Sequence, residues 1–263
     1  MGVSVLAVFT LWWREVTRFR RQRSRLFGAL GQPLVFWLFL GSGLSASFRP
    51  PGTPAGVDYL EYFYPGIMVL VILFTAIFAT ISVVEDRREG FLQGVLVAPV
   101  SRLSIVLGQT CGGTTLALLQ GALLLLLAPL VGIPLSPGTV LAVIAVLCCV
   151  AFSLTNLGLI IAWRMQSTQG FHAIMNVILL PIWMLSGAFF PATGVPGWLA
   201  WVMRLNPLTY GMAALRRCLY LTQSTTTGSV PPLVPALGIT LLFGVVTLLA
   251  AVYMANRSST AYG

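Results

Sequence analysis

Acid–base, nucleophilic and metal chemistry all need particular side chains, and this sequence holds few of them. Its 263 residues include six carboxylates (Glu15, Asp58, Glu61, Glu85, Asp86, Glu89), one histidine (His172) and four cysteines. All fifteen cationic side chains are arginines. Without lysine there is no Walker A phosphate loop, Schiff base or Ser-Lys dyad. Cys111, Cys148, Cys149 and Cys218 lack zinc-site spacing, and a lone histidine cannot complete a metal site. No pair of aspartates falls inside an apolar run, as an intramembrane aspartyl protease would need. His172 reads as an interfacial residue with a satisfied hydrogen bond. No catalytic, cofactor-binding or metal-ligating residue is assigned.

The densest chemistry is Glu85-Asp86-Arg87-Arg88-Glu89, five charges in a row, followed by Gly90 and a short apolar run that stops at Pro99. Phe91, Leu92, Val95 and Leu96 make one apolar face of a two-turn helix. Such a helix suits a groove on another protein, or equally rests its face on lipid.

The elements that position this run are apolar. The chain is 57% hydrophobic and 8% charged, with mean hydropathy +0.92. A soluble domain usually carries about a quarter charged residues, so the composition points to a membrane protein. Stretches near the roughly 20 residues a spanning helix needs occur at about 28–48, 62–84, 104–131, 138–162, 170–192 and 233–255. The expected fold is an all-α polytopic membrane protein with six transmembrane helices in a single domain, 1–263. With the N-terminus inside, eleven arginines fall on the cytoplasmic side and four (Arg49, Arg204, Arg216, Arg217) outside, which places both termini in the cytoplasm. The net charge of +9 therefore reads as lipid anchoring and topology, not nucleic-acid binding. The absence of lysine reflects codon usage as readily as function.

Before the first span, 1–27 reads as an amphipathic interface helix. Val5, Phe9, Trp12, Val16 and Phe19 share one face; Arg14, Arg18, Arg21 and Arg25 share another, and Trp13 joins Trp12 at headgroup depth. It serves as a membrane anchor, or also contacts a cytoplasmic partner. The cytoplasmic connection 85–103 carries the charged run. At 194–222, Asn206-Pro207 starts a second short helix after the apolar 198–203, giving either a re-entrant pair or two helices flat on the outer leaflet. No carboxylate lies inside an expected span, which disfavours ion-coupled transport. Thr114, Thr115, Gln120, Ser153, Thr155, Asn156 and Asn176 read as interhelical hydrogen-bonding groups. Phe36, Trp37, Phe39, Trp183, Phe189 and Phe190 either line a pathway or form an interfacial belt.

Three stretches resemble the permeases of ABC-2 type exporters: Glu85–Gly90 with Leu96–Arg102, Met184–Pro191, and Leu205–Tyr210 with Leu215-Arg216. The resemblance implies a homodimeric permease resting on two copies of a separate ATPase, which alone binds ATP and Mg, in the cell (inner) membrane. It implies a coupling helix at about Arg88–Ala98, an interface helix at about Val3–Arg25 that also touches the ATPase, and a re-entrant pair at about Trp198–Tyr220. On that reading Glu85, Asp86, Arg87, Arg88, Glu89, Gly90, Phe91, Leu92, Val95, Leu96 and Pro99 couple to the ATPase. Trp12, Trp13, Arg14, Arg18 and Arg21 belong to the interface helix, and Asn206, Pro207, Tyr210 and Arg216 to an outer gate. Phe36, Trp37, Phe39, Asn176, Trp183, Phe189 and Phe190 are the candidates for the pathway wall. Where many relatives carry Asp after the Tyr, this chain has Gly211-Met212-Ala213-Ala214. Without a Walker A loop or midplane acids, the driving force must arrive mechanically. The rivals from other classes are a non-transporting membrane scaffold and a passive channel.

Overall fold

The structure, a computed structural model, describes residues 3–21, 23–45, 59–221 and 230–260. Arg49, Asp58, residues 46–48 of the first expected span and residue 222 lie outside the described residues, as do the side chains of 22–29. All regular elements among the described residues are helical. They are α1 (Val5–Arg21), α2 (Arg23–Ser45), α3 (Tyr59–Ala79), α4 (Ile81–Arg88), α5 (Phe91–Val97), α6 (Arg102–Leu125) and α7 (Pro137–Ala162). There follow α8 (Thr168–Ile174) and α9 (Leu180–Trp183), each continued by a π turn, then α10 (Gly197–Leu205), α11 (Pro207–Leu219) and α12 (Leu233–Thr260).

Local chemistry sets the ends. Ser101, Ser136 and Ser167 accept N-terminal amides of α6, α7 and α8, and Pro137 takes the first position of α7, where its missing N–H costs nothing. Asn206 caps α11 through its side-chain oxygen, 3.0 Å from the Leu208 amide.

Among the described residues, four helices are long and apolar enough to cross a membrane: Tyr59–Arg88, Pro137–Ala162, Thr168–Ala188 and Leu233–Arg257. This is fewer than the six spans expected. α2 contributes a shorter apolar stretch, Pro33–Leu44, and α6 is diluted by glycines and by Gln109, Thr110, Thr114 and Gln120. Boundaries also differ. The second expected span runs on through Arg88, because Thr80 only bends it, its hydroxyl bonding Ile77 O at 2.7 Å. The third stops at Leu125 and ends in a 3-10 turn, Ala128–Val131. The fifth stops at Ala188, where Gly187 turns left-handed (φ 82°). The interface helix ends at Arg21, and α2 already begins at Arg23.

α3 is the core of the molecule, with Tyr62–Ile77 buried throughout. Around it α6 and α7 pack closely where side chains are absent: a Cβ on Gly113 falls 2.6 Å from Thr155, and one on Gly158 falls 2.8 Å from Thr80. Polar side chains join these helices. Thr110 donates to Asn156 Oδ1 at 2.7 Å, Thr75 donates to Gln120, and Ser153 donates to Thr240 O at 3.2 Å. Asn176 is exposed, so it does not share that role. His172 is also exposed, with its ring tilted against that of Phe78, centroids 5.3 Å apart; among the described residues it makes no side-chain hydrogen bond of the kind expected.

Candidate functional site

The charged run is not a loop. Glu85–Arg88 are the last turn of α4, and only Phe91–Val97 form the short helix α5. Gly90, at φ 79°, makes the sharp turn between them, a conformation a side chain disfavours. The charges divide between two helices: Glu85 and Asp86 turn to α1, and Arg87 to the end of α7. Asp86, 1% exposed, accepts both terminal nitrogens of Arg14 at 2.6 Å, and Arg18 at 2.9 Å. Glu85 accepts Arg18 at 2.7 Å. Arg87 points the other way and donates to Trp163 O (2.8 Å) and Met165 O (3.1 Å), carbonyls that follow the end of α7. Arg88 and Glu89 are exposed.

The arginine face of α1 is therefore turned inward at Arg14 and Arg18. α1 lies on α6 over Gly108 and Gly112, where added Cβ atoms would sit 2.7 Å from Leu11 and Glu15. Trp12 bonds Thr115 Oγ1 at 3.0 Å, while Trp13 and Arg21 face outward. Buried Glu15 completes the cluster: burial foremost, with the charge of Asp86, pushes its carboxyl up to about 7 against the opposing Ser82 hydrogen bond and both arginines.

The Arg14 guanidinium also sits 4.0 Å over the Phe91 ring, which joins α1 to α5. Arg102 donates to Leu96 O at 3.0 Å and holds the other end of α5. Sequence periodicity placed Phe91, Leu92, Val95 and Leu96 on one face, but Leu92 is 3% exposed and belongs to the core, while Phe91 is 42% exposed. Val95 and Leu96 pack against the core, and Pro99 is exposed. Val97, 86% exposed, is the free apolar edge that the pattern missed. Between α1 and α5 lies an apolar cavity of about 550 Å³, lined among others by Leu6, Ala7, Leu11, Phe91, Gly94 and Val95.

At the other end, Arg216 donates to Gly187 O at 2.9 Å, Asn206 to Ile182 O at 2.6 Å and Tyr210 to Arg204 O at 2.9 Å. Pro207 opens α11. Of the candidate pathway aromatics, Trp183 is buried and donates to Gly66 O at 2.8 Å; Trp37 is buried and donates to Leu60 O at 3.1 Å. Phe36, Trp183 and Phe189 gather around Phe63, with ring centroids 5.7 to 6.5 Å away, and Phe190 adjoins Phe189 at 6.2 Å. Phe39 faces outward. Tyr59 and Phe63, unassigned from sequence, form the centre of this cluster. There is no slack behind it: a Cβ on Gly66 falls 2.8 Å from Ala188 O. Gly66→Val is expected to destabilise the fold by about 3 kcal/mol by overpacking, read as a lower unfolding midpoint in detergent.

The model of the ABC-2 type transporter family matches residues 7–220. A protein of Cyanophora paradoxa named as transport permease ycf38 is 30% identical over 80% of this chain and 72% of its own length. Nodulation protein J of Rhizobium leguminosarum bv. trifolii is 26% identical, over 78% of each chain. Daunorubicin resistance ABC transporter permease protein DrrB1 of Streptomyces coeruleorubidus is 20% identical, over 83% of this chain and 77% of its own. With a family match spanning α1 to the end of α11, on a helical chain whose apolar spans surround a buried α3, this protein belongs to the ABC-2 type transporter family and is a membrane transport permease.

Proposed function

We propose that the chain is the membrane-spanning half of an ATP-driven exporter, coupled to its ATPase through α5 and the α1–α5 cavity. One observation carries this reading. The inner end of α4 is a junction at which Asp86 and Glu85 hold α1, Arg87 holds the end of α7, and Gly90 leads into α5. A push on α5 thus reaches three helices at once. Two copies of the permease pair, and two ATPase subunits supply ATP and Mg. The chain crosses the cell (inner) membrane six times, with both termini cytoplasmic. α2 and α6, at 23 and 24 residues, supply the two remaining spans; at 1.5 Å per residue each is about 35 Å long, enough for the hydrocarbon core. The substrate class is an amphiphile, either drug-like or a lipid-linked glycan or polysaccharide. The name of one relative ties it to resistance to daunorubicin, an amphiphilic drug, and the cluster around Phe63 offers an aromatic wall.

Val97→Asp and Gly94→Trp test the docking. Val97 is exposed, and a Cβ on Gly94 meets nothing within 4 Å, so each new side chain starts in open space, the indole at the mouth of the α1–α5 cavity. Each is expected to cut copurification of the ATPase, and ATP-dependent daunorubicin uptake by inverted vesicles, at least tenfold at unchanged permease abundance. Uptake at the original level in both variants overturns the docking site. Flux without nucleotide favours the passive channel; no flux and no ATPase on purification favours the scaffold.

A further inference from the structure

In a chain that crosses a membrane, the exposed side of a spanning helix shows what covers it. A face against lipid carries apolar side chains, because a polar group there loses its hydrogen bonds. The exposed side chains of α7, and those of α12 from Val234 to Leu249, are all apolar, among them Leu141, Ile144, Leu242 and Val245. α6 exposes Thr115, but its hydroxyl donates to Cys111 O at 2.8 Å and accepts the Trp12 indole N–H at 3.0 Å.

The Thr168–Ala188 helix breaks this pattern. Gln169, His172 and Asn176 fall on one face at steps of three and four, and all three are exposed. Among the described residues none of them makes a side-chain hydrogen bond. Asn176 lies about 12 Å from the start of the helix at 1.5 Å per residue, near mid-depth of the hydrocarbon. There the helix winds into the π turn Met175–Leu179, and Asn176, Val177 and Ile178 are exposed in succession. Pro181 follows without an N–H, so Val177 O, four residues earlier, has no α-helical donor. Three side chains and a backbone carbonyl thus present hydrogen-bonding capacity on an exposed side of one span. Such a face suits water or a polar ligand, not lipid.

We propose that this face is a wall of the transport pathway, and that Gln169, His172, Asn176 and Val177 O form a ladder of hydrogen-bond acceptors for a substrate head bearing hydroxyl or amine donors. The ladder holds no fixed charge, since no Asp, Glu, Lys or Arg lies between Arg164 and Arg204. A phosphate head finds no cation on it and sheds its water uncompensated. A hydroxyl or amine instead exchanges bonds to water for bonds to amide, imidazole and carbonyl groups, one step at a time. About two turns beyond Asn176, Trp183 joins the aromatic cluster, where Phe36, 43% exposed, offers a ring to the apolar part of the substrate. The proposal rests on the exporter reading above and narrows its substrate to donor-headed amphiphiles.

Val177→Cys places a thiol on this face and keeps the three polar side chains, while Val245→Cys places one on the apolar face of α12; both positions are exposed. The full chain is studied in right-side-out and inverted membrane vesicles with a membrane-impermeant methanethiosulfonate, and mass spectrometry gives the labelling rate at each site. The Val177→Cys thiol is expected to react at least tenfold faster than the Val245→Cys thiol from at least one side. Equal rates from both sides overturn the proposal, since lipid or a second copy of the chain then covers the face. Should Val177→Cys fail to accumulate, Asn176→Cys serves for the same contrast, and equal rates again overturn it. Octyl glucoside, below its micelle concentration, is expected to slow Val177→Cys labelling at least threefold, and octyl phosphate at the same concentration to leave it unchanged. Equal protection by the two overturns the donor-head assignment. Adding Asn176→Leu is expected to abolish the protection by octyl glucoside, whereas Asn176→Gln, which keeps both polar atoms, retains it; protection that survives the leucine overturns the ladder. With the ATPase present, Asn176→Leu is expected to lower ATP-dependent daunorubicin uptake at least fivefold, and Asn176→Gln less than twofold. The labelling needs neither ATP nor the ATPase. Absence of uptake by the original chain therefore removes the exporter reading, while the labelling still decides whether the face is wet and which head it takes.

Discussion

Replacing Asp86 with asparagine is expected to destabilise the protein by about 3 kcal/mol, at the lower end of the roughly 3–5 kcal/mol for breaking a buried ion pair. Asp86 is 1% exposed and is bonded by both Arg14 and Arg18. Without its charge, Arg18, 20% exposed, keeps only Glu85 at 2.7 Å, and Arg14, 29% exposed, keeps only the longer contact to Glu15 at 3.4 Å. The partial exposure of the arginines holds the effect to the lower figure, since water screens part of the loss. Glu89, three residues on and exposed, is the control: Glu89→Gln is expected to stay within about 0.5 kcal/mol. Unfolding midpoints in detergent measure both. A double cycle with Arg14→Gln is expected to show a coupling of about 2 kcal/mol. Additivity of the two substitutions would mean that Arg14 and Asp86 act separately and that α1 is held by its seat on α6 alone.

That clamp was illegible in the sequence for a physical reason. Arg14 and Arg18 are four apart on one helix face and Glu85-Asp86 adjoin, but nothing local brings residues some 70 positions apart together. Whether a charged face is solvated or paired is decided by tertiary packing. The seat of α1 left a partial signal: Gly108 and Gly112, one helical turn apart, mark a close helix approach without saying which helix approaches. Helix starts were plainer, because Ser136-Pro137 and Asn206-Pro207 carry their caps in the sequence itself. Adjacent residues on a helix differ by about 100° in direction. A stripe containing both Phe91 and Leu92 therefore had to divide, and Leu92 went inward while Phe91 stayed half open beneath Arg14. The π turn Met175–Leu179 left no trace in a 3.6-residue period. The sequence also hid why Asn206 and Arg216 stand where they do, since their acceptors, Ile182 O and Gly187 O, lie on another helix more than twenty positions away.

Glu15 gives the second large effect, opposite in sign to that of Asp86. Arg14 and Arg18 are taken up by Asp86 and Glu85, which leaves the buried Glu15 as a third carboxylate without a cation of its own. Arg14 is 3.4 Å away but already engaged. Burial is the largest reason that its carboxyl is pushed from 4.5 up to about 7. The folded protein thus holds this proton more tightly than the unfolded chain. The resulting stabilisation is present in full below pH 4.5, is lost as pH rises to about 7, and changes no further above it. The span corresponds to about 3 kcal/mol. Glu15→Gln, which keeps the shape and removes the charge, is expected to abolish that slope, matching the original near pH 4.5 and exceeding its stability by about 2–3 kcal/mol at pH 8. Unfolding midpoints between pH 4.5 and 8 test this, and parallel curves for the two proteins would sink it. In the Asp86→Asn background Arg14 is free to serve Glu15, so the same glutamine substitution should bring no gain at pH 8. That reversal would show that the cluster holds α1 by charge balance, two arginines matched to two carboxylates, and that Glu15 is the member left over.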